Sequence, residues 1–144
     1  MIRKLTVMII GLCFAACATQ NYGSAVRTSD QMVKEAKASI KEVSVSDVKR
    51  MIDNKDKIII LDVRDREEFE TGYIPGAINL SRGMLEFKIN TLIPDKNAAI
   101  VVYCGVDLRG PLATETLNEM GYKNAVNIDG GLKAWKAAGY TLAK

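Results

Sequence analysis

The chain has 144 residues, with 20 lysines and arginines, 17 aspartates and glutamates, and no histidine. This length allows one domain with a modest core. The formal net charge is only +3, and no basic stripe interleaved with aromatic residues suggests nucleic-acid binding. Without imidazole the chain has no Ser/His/Asp triad, no Cys–His dyad and no zinc site of the usual kind. We therefore expect no metal site, and any chemistry must depend on other groups.

Residues 1–17 have the pattern of an export signal. They carry two basic residues, Arg3 and Lys4, close to the start and continue with an apolar run of about twelve, whereas a span of the bilayer needs about 20. The end of this segment, FAAC, resembles the lipobox of bacterial lipoproteins, which implies cleavage before Cys17 and lipid attachment to that cysteine. We expect a periplasmic protein anchored in a membrane, and Ala18 favours the outer membrane. The alternative is an ordinary secretory signal cut nearby.

The number of cysteines limits the possible disulfides. The chain has three, of which Cys13 leaves with the signal and Cys17 carries lipid, so only Cys104 remains in the folded part. No internal disulfide can then form, although an exported chain enters an oxidising compartment. Cys104 is therefore either a buried, inert thiol or a reactive one.

The segment after the signal divides into a tether and a helix. Residues 18–28 are small and polar, as expected of a tether. Ser29 and Asp30 can cap a helix over residues 29–40. Its apolar side chains share one face, which predicts that the helix packs on the domain; they are Met32, Val33, Ala36 and Ile40.

Strands and helices then alternate to the end of the chain. The predicted strands are 42–45, 57–61, 77–80, 98–103 and 125–128. The predicted helices are 47–54, 66–72, 83–93, 111–121 and 131–139. Unbroken apolar runs such as KIIIL and AAIVVY are typical of strands buried on both faces. The pattern predicts an α/β fold with an open, mainly parallel sheet flanked by helices on both faces.

Asp62 and Cys104 each follow one of these apolar strands. In an open parallel sheet the ligand site lies at the carboxyl ends of the strands, so both residues should lie at the same edge. The segment after Cys104 passes through Gly105 into a helix with Pro111 in its first turn. Free amides of such a loop bind anions and stabilise a thiolate. The loop can thus replace the missing base.

Three ordered motifs resemble the single-domain rhodaneses: LDVRDREEFETGYIPGAINL, YCGVDLRGPLATETLNEMGY and IDGGLKAWKAAGY. The resemblance covers roughly residues 40–140 and indicates a rhodanese-like domain over 41–144. It implies that Cys104 accepts a sulfane sulfur from a donor such as thiosulfate, holds it as a persulfide and passes it to a thiol or cyanide. No cofactor is implied.

The resemblance also implies roles for the neighbours of Cys104. Arg109 would bind the anionic donor, and backbone amides would surround the outer sulfur. The residues predicted to bind substrate together with Arg109 are Gly105, Val106, Asp107, Leu108 and Gly110. Asp62 and Arg64 are interpreted as supports that tie the first motif together.

Loop length and two departures refine this interpretation. Cys104 to Arg109 reads C-x4-R, whereas the phosphatase branch of the fold uses a wider C-x5-R loop, so sulfur transfer is favoured. Tyr73 stands where the family often has histidine and is expected only to cover a turn. Asp107 stands where glycine is common and tolerates the left-handed backbone that glycine would supply. Its carboxylate could face the pocket and repel an anionic donor, or turn outward.

A non-catalytic module that carries persulfide or binds a partner remains the alternative function.

Overall fold

A computed structural model describes residues 26–144. The predicted signal 1–17, with its lipidation site Cys17, lies outside the described residues, as does the predicted tether except for residues 26–28. Within the described part of the chain, no helix is both long enough and apolar enough to cross a membrane.

The centre of the fold is a five-stranded sheet in which every pairing is parallel. The strand order is β1-β5-β4-β2-β3. The strands are β1 (Glu42–Val43), β2 (Ile59–Asp62), β3 (Ile78–Asn79), β4 (Ile100–Tyr103) and β5 (Ala125–Ile128). The prediction of an open parallel sheet is confirmed.

Within residues 26–144, six α-helices and one short 3-10 turn precede, connect or follow the strands. The helices are α1 (Ser29–Ser39), α2 (Val45–Asp53), α3 (Arg66–Glu70), α4 (Leu85–Leu92), α5 (Arg109–Glu119) and α6 (Gly131–Ala137), and the 3-10 turn is Arg82–Met84. The predicted helix after β4 therefore begins two residues earlier than expected, so Arg109 and Gly110 lie inside it.

Alternate residues of the central strands build two separate cores, one on each face of the sheet. Leu61 and Val102 pack on one face with residues of α4 and α5. Ile60 and Val101 pack on the other face with residues of α2 and α6, including Trp135. Because successive side chains of a strand point to opposite faces, a run of consecutive apolar residues fills both cores at once.

The N-terminal helix packs on the domain, with Ala36 fully buried and α1 in contact with α5. The predicted apolar face is only partly covered, since Met32 is 40% exposed. Its cap differs from the prediction. Thr28, not Ser29 or Asp30, is the cap: its hydroxyl accepts from the Gln31 amide at 3.2 Å, and the Gln31 side chain accepts from the Thr28 amide at 2.8 Å. This reciprocal pair satisfies two amides where a serine cap one residue later would satisfy one.

Candidate active site

Cys104 and Asp62 lie at the same edge of the sheet, as predicted. β2 and β4 are neighbours, and Asp62 is paired in register with Tyr103, the residue before the cysteine. Cys104 is 1% exposed and belongs to the core beneath α5. The thiol is therefore enclosed by the fold and not displayed on a loop.

The first turn of α6 supports the loop after Cys104. The Leu132 amide donates to the Cys104 carbonyl at 2.8 Å, and the Lys133 amide donates to the Gly105 carbonyl at 3.0 Å. Gly131 allows this approach, because a Cβ there would lie 2.6 Å from the Cys104 carbonyl oxygen and its φ is +56°. The first two carbonyls of the loop therefore accept hydrogen bonds from α6.

The backbone amides of the loop after Cys104 have no hydrogen-bond acceptor within residues 26–144, unlike its first two carbonyls, which have donors. Within residues 26–144, the backbone amides of positions 105–108 donate to no protein acceptor. Val106 and Leu108 carry exposed side chains, at 59% and 52%. The groups of the loop that can bind a ligand are therefore its backbone amides, as expected for an anion-binding loop.

Asp107 has the left-handed backbone predicted for it, with φ at +66°. Its side chain takes neither of the two orientations considered from the sequence. It is only 8% exposed, accepts from the Asn127 amide group at 2.7 Å, and forms an ion pair with Lys37 of α1. The carboxylate points inward because these two donors compensate its burial.

Arg109, the predicted donor-binding residue, is already paired. Its guanidinium donates to both carboxylate oxygens of Glu68, at 2.7 and 2.8 Å, and lies 3.4 Å from Asp65. The hydrogen bonds from Arg109 hold the pKa of Glu68 below its usual range. Glu68 was not singled out from the sequence; its position in an acidic helix directly after the Asp62 strand was the available signal.

Asp62 and Arg64 form a buried ion pair behind the loop. The Arg64 Nη2 lies 2.7 Å from Asp62 and also donates to the Gly72 carbonyl at 2.9 Å. Another guanidinium nitrogen donates to the Glu68 carbonyl at 3.0 Å. These contacts join β2 to α3 and to the turn that follows it, in agreement with the supporting role expected of the pair.

Tyr73 lies in the turn after α3. Its ring stacks on Phe69 with centroids 4.1 Å apart, and its backbone pairs with Ala143. These contacts agree with the expectation that Tyr73 covers the turn.

Metal and cavity candidates in the described residues do not add to the site. The carboxylates of Glu42, Asp107 and Asp129 lie close enough together to bind a cation. The Lys37 ammonium contacts all three and supplies a positive charge there. A cleft of about 420 Å³ lies at the opposite edge of the sheet, beside the first residues of β2 and β4.

The fold and site define a class of protein. Cys104 lies at the carboxyl edge of a parallel sheet, and an arginine follows it five positions on. The backbone amides between them donate to no protein acceptor within residues 26–144, and such a loop can stabilise a thiolate. The Rhodanese-like domain family matches residues 44–138. The chain therefore belongs to the rhodanese-like family, and the resemblance noted from the sequence is confirmed for the domain.

The chain is similar to three known proteins. The chain is 31% identical over 110 residues to the "Putative sulfur carrier protein YrkF" of Bacillus subtilis (strain 168), covering 76% of this chain and 58% of that protein. It is 40% identical over 73 residues to thiosulfate sulfurtransferase PspE of Escherichia coli (strain K12), covering 51% and 69% respectively. The structure of RPA3614 from Rhodopseudomonas palustris CGA009, described as of unknown function and a possible tyrosine phosphatase, gives a TM-score of 0.76 at 33% identity over 83% of this chain and 96% of that one.

Proposed function

We propose that the protein is a sulfurtransferase that carries a sulfane sulfur on Cys104. The Cys104 thiolate attacks the outer sulfur of thiosulfate, a new S–S bond forms, and sulfite leaves with the electron pair of the broken S–S bond. A thiolate or cyanide then attacks the outer sulfur of the persulfide, and the Cys104 thiolate leaves. A persulfide can replace thiosulfate as donor, with a thiolate as its leaving group.

One observation carries this proposal: the four amides that follow Cys104, at positions 105–108, donate to no acceptor in the part of the chain that the structure describes. Backbone amides stabilise both a thiolate and a persulfide anion without an imidazole. Arg109 at the end of the loop supplies the positive charge for the donor. To bind the donor it must share or release the Glu68 carboxylate that it holds at 2.7 Å.

The same loop disfavours phosphate-ester hydrolysis. Cys104 and Arg109 are separated by four residues, and a phosphate with three outer oxygens fits the wider loop with five. The relative RPA3614 is described as a possible tyrosine phosphatase, so a phosphatase assay is a necessary comparison.

A second candidate function is a persulfide carrier or binding module with little activity towards small molecules. The 1% exposure of Cys104 and the pairing of Arg109 with Glu68 favour it, because both restrict access for a small anion. The name of YrkF, a relative at 31% identity, points the same way.

The decisive experiment is thiosulfate-to-cyanide sulfur transfer by the wild type and by Cys104→Ser. We expect turnover and a mass gain of one sulfur on the wild type, and neither on the variant. A wild type that gains the sulfur but does not form thiocyanate would support the carrier function. A wild type that hydrolyses an aryl phosphate and gains no sulfur would refute both.

We also propose that the protein acts at a membrane in the periplasm, held by lipid on Cys17. The support is the short apolar run before FAAC, with a polar tether after it. This location would place the thiol in a compartment where disulfides persist, so enclosure of Cys104 would protect it from oxidation.

A further inference from the structure

The N-terminal helix reaches the active-site loop through one side chain. Lys37 of α1 forms an ion pair with Asp107, and its Nζ also lies 3.3 Å from Glu42 and 3.4 Å from Asp129. The family match begins at residue 44, so Lys37 lies outside it. A residue of the N-terminal extension therefore contacts the centre of the loop that the family supplies.

The ion pair with Lys37 compensates the burial of the Asp107 carboxylate. Asp107 is a carboxylate with a left-handed backbone, 8% exposed, three residues after the nucleophile. A buried carboxylate without a partner is costly, and such a group turns toward water or binds a proton. The hydrogen bond to Asp107 raises the pKa of Lys37 further above the neutral range, where a lysine is charged in any case.

The surroundings show why the direction of this carboxylate matters. The Asp107 amide is one of the free amides of the loop, and Asn127 holds the inward-pointing side chain at 2.7 Å. If the carboxylate turned toward the amides, it would occupy the cradle or repel an anionic donor. A glycine at this position would need no partner at all.

We propose that Lys37 is a positioning residue for sulfur transfer, because it holds the Asp107 carboxylate inward and neutralises its charge beside the sulfur-binding loop. The inference rests on the proposed function of Cys104. It assigns a role in the active site to α1, the helix that joins the domain to the N-terminal segment.

The first test compares two lysines of the same helix in the full-length protein. Lys37→Met removes the ammonium but keeps the length of the side chain. Lys34→Met is the matched control, since Lys34 is exposed and forms no ion pair in the part of the chain that the structure describes. We expect KM for thiosulfate to rise about tenfold in Lys37→Met alone, because the Asp107 charge beside the loop is then no longer neutralised; a tenfold change corresponds to about 1.4 kcal/mol.

The second test removes the need for the lysine. In Lys37→Met/Asp107→Gly the carboxylate is absent and glycine adopts the left-handed backbone freely. We expect KM to return to within about twofold of the wild-type value. Loss of stability without a change in KM, or a raised KM that the glycine does not restore, would mean that Lys37 supports only the fold.

A chemical probe separates this inference from the proposed function. Iodoacetate and iodoacetamide alkylate the same thiolate and are similar in size, but only iodoacetate is an anion. The rates at Cys104 are followed by peptide mass spectrometry. We expect the rate with iodoacetate divided by the rate with iodoacetamide to fall about tenfold in Lys37→Met and to recover in the double variant. If the wild type transfers no sulfur, the proposed function fails while this ratio still tests Lys37. An unchanged ratio, equal to that of Lys34→Met, would overturn the positioning role.

Discussion

The Glu68–Arg109 pair makes a quantitative prediction about donor binding. Glu68→Gln keeps the size of the side chain and an oxygen that can accept from the Asp65 amide, as Glu68 does at 3.2 Å. The pair has ideal two-point geometry, but its side chains are 41% and 35% exposed, so solvent screening limits its contribution to about 1 kcal/mol. Because the donor competes with Glu68 for the guanidinium, we expect KM for thiosulfate to fall about fivefold in the variant.

Steady-state sulfur transfer at low ionic strength is the assay. Glu67→Gln is the control, because Glu67 lies on the same helix, is exposed and forms no ion pair within residues 26–144. Arg109 lowers the pKa of Glu68, so the competing charge is present above that lowered pKa and is lost as the pH falls through it. The effect should therefore persist across the neutral range and weaken in high salt. An unchanged or higher KM would show that Glu68 orients Arg109 for the donor and does not compete with it.

Three further predictions concern the support of the site and its location. Gly131→Ala should destabilise the fold by about 2–3 kcal/mol in urea unfolding, because its Cβ would meet a carbonyl oxygen at 2.6 Å. Gly139→Ala, also at positive φ but with open space around it, should cost only about 1 kcal/mol, and equal losses would contradict the clash. Asp62→Asn should cost about 3 kcal/mol because it leaves the buried Arg64 charge unpaired; a loss under about 1 kcal/mol would argue against that account. Labelled palmitate should enter the wild type and not Cys17→Ser, and equal labelling of both would exclude a lipid on this cysteine.

The parallel sheet was predictable because it depends on local pattern. Runs such as IIIL, residues 58–61, are apolar throughout, and only a strand covered on both faces buries such a run. The positions of Asp62 and Cys104 at one edge follow from that topology. The left-handed backbone of Asp107 was also predictable, since the resemblance places a residue there that must substitute for glycine.

The side-chain pairs of the site were not predictable in the same way. Lys37 and Asp107 are 70 positions apart, and Glu68 and Arg109 are 41 apart. Nothing in the sequence near either member indicates its partner, because the contact depends on how α1 and α3 pack on the loop. The two orientations considered for Asp107 both omitted an interior partner for this reason.

The exposed side chains of Val106 and Leu108 bear on how this site can change. The groups available to the ligand are main-chain amides, and every amino acid except proline supplies one. Most single substitutions at these two positions would alter the outer surface of the protein and leave the ligand-binding groups in place. The surface around the cradle is therefore free to diverge towards different partners while the chemistry beneath it is retained, and the identity of these residues is a poor guide to whether the cradle works.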